Sequence, residues 1–186
     1  VKIQNVAVIG AGASGRRFAS LFALAGYSTV LEDILPSNLR KAAEVLSDVL
    51  EPASDGCVAG KVRLASSIED AVRSADLIVD SVPDELESKL EIFSLLDRMA
   101  PPQAIFVTPT RVLSIADLAS CTYRADRCVA VDIPSGEGLR SLSLISTSQT
   151  SAPVLEAVVR FWECVGFSVE SRLDPSEASV AEGTLF

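Results

Sequence analysis

The chain alternates short apolar runs with amphipathic stretches. Asn5 to Ile9 is a short, nearly unbroken apolar run that stops at Gly10, the pattern of a strand. From Ser14 to Ala25, the residues Phe18, Leu21, Phe22 and Ala25 recur at i, i+3, i+4 and i+7. That spacing predicts a helix, and Gly26 ends it. The alternation then repeats. Strands are expected at Ser28 to Leu31, Val62 to Ala65, Leu77 to Val82, Ala104 to Thr108, Val129 to Asp132, Leu142 to Ser146 and Ser168 to Ser171. Helices are expected at Ser37 to Leu50 with Pro36 in the first turn, Ser67 to Arg73, Glu85 to Met99, Ile115 to Ala119 and Pro153 to Val165. Strand–helix alternation of this kind predicts an α/β fold, a doubly wound and mostly parallel sheet with helices on both faces.

The first glycine turn adds chemistry to that frame. Gly10, Gly12 and Gly15 stand at the G-x-G-x-x-G spacing, after a strand and at the start of a helix. The first glycine allows the tight turn, the second lets the backbone approach a pyrophosphate, and the third lets the helix pack close to the sheet. Glu32 and Asp33 follow at the end of the second strand. An acid there accepts hydrogen bonds from ribose hydroxyls and repels a 2′-phosphate, so the expected cofactor is NAD rather than NADP. The bland alternative for this pair is two ordinary loop acids.

Composition narrows the partners. The chain has 186 residues and a net charge of −9, which argues against nucleic acid and anionic membrane surfaces. No apolar run reaches the ~20 residues of a bilayer span, and the start of the chain lacks a signal-peptide layout, so the expected location is cytoplasmic. Cys57, Cys121, Cys128 and Cys164 are scattered and read as reduced structural thiols. With no histidine and no C-x-x-C, no metal site is expected. One Rossmann-type domain is expected over residues 1–173, with 174–186 a loose tail or linker remnant.

Three segments carry a resemblance: VAVIGAGASGRRFASLFALAG from Val6, DLIVDSVPDELESKLEIFSLL from Asp76, and AIFVTPTRVLSIADL from Ala104. They resemble the N-terminal NAD-binding domain of the L-3-hydroxyacyl-CoA dehydrogenase family, enzymes of fatty acid metabolism. The resemblance implies that Gly10, Ala11, Gly12, Ala13, Ser14 and Gly15 form a pyrophosphate loop and that Asp33 holds the adenosine ribose. It implies that Asp84 and Lys89 contact the cofactor, through a family motif A-(I/V)-x-E-(N/D)-L-x-x-K that here reads Ser81 to Lys89. Asp84 replaces a longer Glu, and the alternative for Lys89 is a solvated helix lysine.

The chain departs from the family where the chemistry sits. In the stretch matching the family's H-F-F-N-P motif, the His position holds Asp132 and the Asn position holds Ser135. The Glu that partners the His is Leu144, and a substrate-contacting Ser is Arg111. A histidine near pKa ~6.5 suits proton removal from a hydroxyl, and an aspartate near ~3.9 is a weaker base unless burial raises it. Asp132 is thus either a replacement base or a plain loop aspartate or helix cap. The family's C-terminal helical domain has no counterpart in this sequence, and the edge this leaves points to a homodimer.

Three readings follow. The leading one is an NAD-binding protein, a possible pseudoenzyme without hydroxyacyl-CoA dehydrogenase chemistry. The second is an NAD-dependent oxidoreductase using Asp132 and Arg111 on a different hydroxy-acid or acyl substrate, with Arg111 clamping a small anionic group. The third is an interaction module that keeps the glycine loop only as a fold feature, with Gly12 as the residue that discriminates.

Overall fold

A computed structural model describes residues 1–50, 58–134 and 140–177. The chain forms two compact units, one built from Lys2–Val82 with Arg98–Ala104 and the other from Pro83–Asp97 with the residues from Ile105 onward.

The first unit holds β1 (Asn5–Ile9), α1 (Ala13–Leu24), β2 (Ser28–Glu32), α2 (Pro36–Val45), β3 (Val62–Ala65), α3 (Ile68–Val72) and β4 (Leu77–Asp80). Its strands run in the order β3-β2-β1-β4, all parallel. Val6, Ala7, Val8 and Ile9 are all buried, so both faces of β1 are covered. The path from β1 to β2 moves one way along the sheet and the path from β3 to β4 moves back. Right-handed crossovers therefore put α1 and α3 on opposite faces, as a doubly wound sheet requires. Ser67 caps α3, its hydroxyl accepting from the Asp70 N–H at 3.3 Å.

The largest boundary difference from the sequence expectation is at the end of α2; the other ends differ by at most two residues. The apolar spacing carries a helix to Leu50, whereas α2 stops at Val45. Leu50 instead bridges to Val62, and the Val62 N–H donates to the Val49 carbonyl at 2.8 Å. Pairing with the start of β3 ends the helix.

The second unit holds α4 (Leu86–Met99) up to Asp97, then β5 (Ile105–Pro109), α5 (Ile115–Ala119), β6 (Cys128–Asp132), β7 (Ser141–Ser146), α6 (Ala152–Cys164) and β8 (Ser168–Leu173). A single 3-10 turn at Ala125–Arg127, not foreseen in the sequence, leads into β6. The strands pair in the order β5-β6-β7-β8. β6 and β7 are antiparallel because the residues between Asp132 and Ser141 are too few for a crossover; α6 supplies one between the parallel β7 and β8. α6 contributes Phe161 and Trp162 to the core, where Trp162 meets Phe161 and Phe167 edge-on. β8 pairs only with β7 among the described residues, and its exposed Glu170 and Arg172 suit an edge strand.

The loose tail expected from Asp174 is instead anchored at its start. Asp174 is 2 % exposed and accepts from Ser114 Oγ at 2.9 Å, the Ala116 N–H at 3.1 Å and both the N–H and the hydroxyl of Ser176. Glu177 accepts from the Ser148 N–H at 2.7 Å. Cys121, Cys128 and Cys164 are free thiols, and Cys57 lies outside the described residues. Among the described residues no helix is long and apolar enough to cross a membrane.

Candidate functional site

In the first unit, β1 delivers its chain to Gly10 at φ +99°, a conformation that favours glycine. The Gly10 N–H donates to the Glu32 carbonyl at 2.8 Å, which seats the turn on the end of β2. Gly15 is required by contact. A Cβ there would lie 1.8 Å from the Gly10 carbonyl oxygen. Gly12 is different, because its φ of −63° is ordinary and a Cβ would meet nothing within 4 Å. It stands exposed at the N-cap of α1, where no side chain caps the helix and no acid occupies the first turn. Ala13, Ser14 and Gly15 thus begin a helix whose positive end lies beside the open space at Gly12. Beside this loop Ser81 Oγ is buried with no hydrogen-bond partner among the described residues.

Asp33 gathers three donors at the end of β2. Its Oδ2 accepts from the Ala11 N–H at 2.8 Å and from Asn38 Nδ2 at 3.0 Å, and its Oδ1 accepts from the Leu35 N–H at 2.8 Å. A carboxylate offers about four acceptor positions, so one remains for a ligand hydroxyl. Arg16 closes the other side of Ala11, its Nη1 donating to the Ala11 carbonyl at 2.6 Å. Glu32 and Asp33 are both buried, which removes the reading of ordinary loop acids. Burial pushes the Glu32 carboxyl up to about 7, and the neighbouring Asp33 charge adds to the shift. Open space above Gly12, an orphaned hydroxyl and an unspent carboxylate position fit a pyrophosphate with an attached ribose. Neither Arg16 nor Asn38 was marked by the sequence motif.

In the second unit, Lys89 is 0 % exposed and its Nζ donates to Thr108 Oγ1 at 2.9 Å. That excludes the solvated helix lysine. Asp84 is exposed, and its Oδ2 accepts from the Arg111 N–H at 3.4 Å. Asp132 is neither a loop residue nor a helix cap; it is the last residue of β6, paired with Ser143. Its carboxylate lies between two cations. Arg111 Nε is 3.3 Å from Oδ1 and Arg172 Nη2 is 3.5 Å from Oδ2. Oδ1 is buried without an aligned hydrogen bond. Leu144 is fully buried in β7 opposite Val131. Ser135 lies outside the described residues. Arg172 was likewise missed by sequence reasoning, since only strand pairing brings it near Asp132.

Residues 5–169 match the family model of the 3-hydroxyacyl-CoA dehydrogenase NAD-binding domain. The chain is 32% identical over 181 residues to the mitochondrial hydroxyacyl-coenzyme A dehydrogenase of Sus scrofa, covering 89% of this chain and 58% of that protein. It is 26% identical over 164 residues to the 5-formyl-3-hydroxy-2-methylpyridine 4-carboxylate 5-dehydrogenase of Mesorhizobium japonicum, covering 85% and 53%. The solved 3-hydroxybutyryl-CoA dehydrogenase of Escherichia coli superposes with a TM-score of 0.81 at 22% identity, over 94% of this chain and 39% of that one, and shows the shared fold. The chain thus spans a little over half the length of these two curated relatives. It belongs to the 3-hydroxyacyl-CoA dehydrogenase family and carries that family's NAD-binding domain.

Proposed function

We propose that this chain binds NAD and does not oxidise 3-hydroxyacyl-CoA. The observation that carries the second half is the placement of Asp132. At the position matched to the family's catalytic His, the side chain faces two guanidinium groups within 3.5 Å. A carboxylate engaged in that way is an ion-pair partner, and it is poorly disposed to take a proton from a hydroxyl. The apolar, buried Leu144 supplies no partner charge behind it.

For the cofactor, Gly10, Ala11, Gly12, Ala13, Ser14 and Gly15 would cradle the pyrophosphate, and Asp33 would accept one ribose hydroxyl. The family motif also assigns cofactor contacts to Asp84 and Lys89, and Lys89 would act by fixing Thr108. NAD would supply hydride acceptance. The reading of Asp132 as a substitute base is disfavoured by the same two arginines, while Arg111 as an anion-binding residue keeps its support from its 59% exposed side chain.

Calorimetric titration with NAD and NADH tests binding, and absorbance of NADH after adding a 3-hydroxyacyl-CoA tests turnover. Binding without NADH formation is expected. No heat with either nucleotide overturns the first half, and NADH formation overturns the second.

A further inference from the structure

We propose that β8 is a docking edge for a second copy of this chain, the two strands pairing antiparallel about a two-fold axis at Ser171. Pairing there needs no cofactor.

Strand polarity makes the edge. β7 and β8 are parallel, with Ser141 opposite Ser168 and Ser146 opposite Leu173. The Ser168 N–H donates to the Arg140 carbonyl at 2.7 Å, and the Asp174 N–H donates to the Ser146 carbonyl at 2.8 Å. Backbone groups alternate sides along a strand, so the even-numbered residues of β8 turn theirs toward β7. Val169, Ser171 and Leu173 turn both N–H and C=O outward, and no strand meets them among the described residues. Each leaves one donor and one acceptor unspent by the sheet.

Charge selects the register. An antiparallel two-fold pair sets outward residues opposite outward residues, which leaves few alignments. With the axis at Ser171, Val169 faces the second copy's Leu173 and Glu170 faces the second copy's Arg172. Moving the axis one residue toward the start of β8 sets Glu170 against Glu170. Moving it one residue toward the end sets Arg172 against Arg172. Like charges directly opposite are destabilising and opposite charges are favourable, so the Ser171 register prevails. In it, Glu170 and Arg172 form non-hydrogen-bonded pairs, where Cα atoms lie about 4.5 Å apart and side chains meet closely.

The side chains at this edge suit such a partner. Glu170 is exposed and has no ion-pair partner among the described residues. Arg172 meets Asp132 at 3.5 Å on the β7 side and stays 47% exposed, so a second carboxylate can approach from the free side. Leu173 is 61% exposed, and this register lays Val169 of the other strand over it. The edge is short, so the dimer is weak, with a Kd on the order of 10–100 μM.

Sedimentation equilibrium of the full chain, at concentrations bracketing that range, tests the pairing. Reversible dimers are expected. Glu170→Arg and Arg172→Glu each put like charges opposite one another and should weaken dimerisation about tenfold or more. An equimolar mixture of these two variants recreates both opposite-charge pairs and should form mixed dimers about as tightly as the unaltered chain. Ser171→Pro removes an outward N–H while leaving the β7 ladder intact, and should abolish dimers with little change in thermal unfolding. Ser171→Thr keeps the N–H and should dimerise normally. Monomers at every concentration would overturn the proposal. So would dimers untouched by Ser171→Pro, or a mixture of the charge variants that associates no better than either alone. Thermal unfolding of each variant is read in parallel. The proline and mixing experiments are independent, so misfolding of one variant leaves the other decisive.

Discussion

Asp33 holds the backbone of Ala11: its Oδ2 accepts the Ala11 N–H at 2.8 Å across 22 residues of sequence. One side chain thereby shapes the glycine loop and, in the proposed function, would also accept a ribose hydroxyl. Asp33→Asn should impair both functions, because one of the two accepting oxygens becomes an NH2 donor set against the donors around it. A fall in NAD affinity of about 10–100-fold is expected by calorimetry, with a stability loss of about 1–3 kcal/mol in urea denaturation. An unchanged affinity would refute the assignment of Asp33.

Gly12 and Gly15 separate cofactor binding from folding. Gly12→Val adds a side chain in open space at an ordinary backbone angle, so the fold should be kept while the pyrophosphate approach is blocked. Gly15→Ala drives a Cβ into the Gly10 carbonyl and should cost about 3 kcal/mol or more. Calorimetry and urea denaturation of the two variants should give opposite patterns. Retained NAD affinity in Gly12→Val would favour the interaction-module reading.

Glu32 gives stability an uncommon pH dependence. Below about pH 4.5, the ordinary value of the carboxyl, the residue is protonated in both folded and unfolded chains. Between there and about 7 the unfolded chain loses the proton and the folded one keeps it. Its contribution is therefore present at acid pH and is lost as pH rises through that window, by an amount on the order of 3 kcal/mol at most. The chain has no histidine, so few other groups titrate there. Glu32→Gln should flatten the slope, and identical slopes in wild type and variant between pH 5 and about 7.5 would sink the idea.

Asp174 behaves in the opposite sense. Burial works against its charged form, but bonds from the backbone of Ser176 and Ala116 and the hydroxyls of Ser176 and Ser114 outweigh it and hold its carboxyl below the ordinary value. Its stabilisation is present above that ordinary value and falls away as pH drops through the lowered one. Asp174→Ala should cost about 2–3 kcal/mol near neutral pH, and Ser114→Ala, which removes one partner and the cap of α5, about 1 kcal/mol. Urea denaturation of both variants checks the order, which a larger effect for Ser114→Ala would reverse.

What was readable in advance follows from distance along the chain. The glycine spacing, Asp33 and the strand–helix alternation are local signals, and β1, β3 and α5 lie where the pattern places them. The end of α2 was misplaced because Leu46, Val49 and Leu50 continue a helical period while Leu50 pairs with Val62. Lys89 falls on a helix by pattern, yet its full burial beside Thr108 has no local mark. Arg172 and Asp132 meet only through two strand pairings, and Asp174 reaches Ser114 across 60 residues. Register and long-range capping of this kind leave no periodicity to read.

The open space around Gly12 has an evolutionary consequence. A lineage kept only for its scaffold would be bound to glycine at positions 10 and 15, where the backbone angle and the carbonyl contact demand it, and would be free to drift at position 12. A related sequence that has exchanged Gly12 alone would mark a branch that gave up its nucleotide before giving up its architecture.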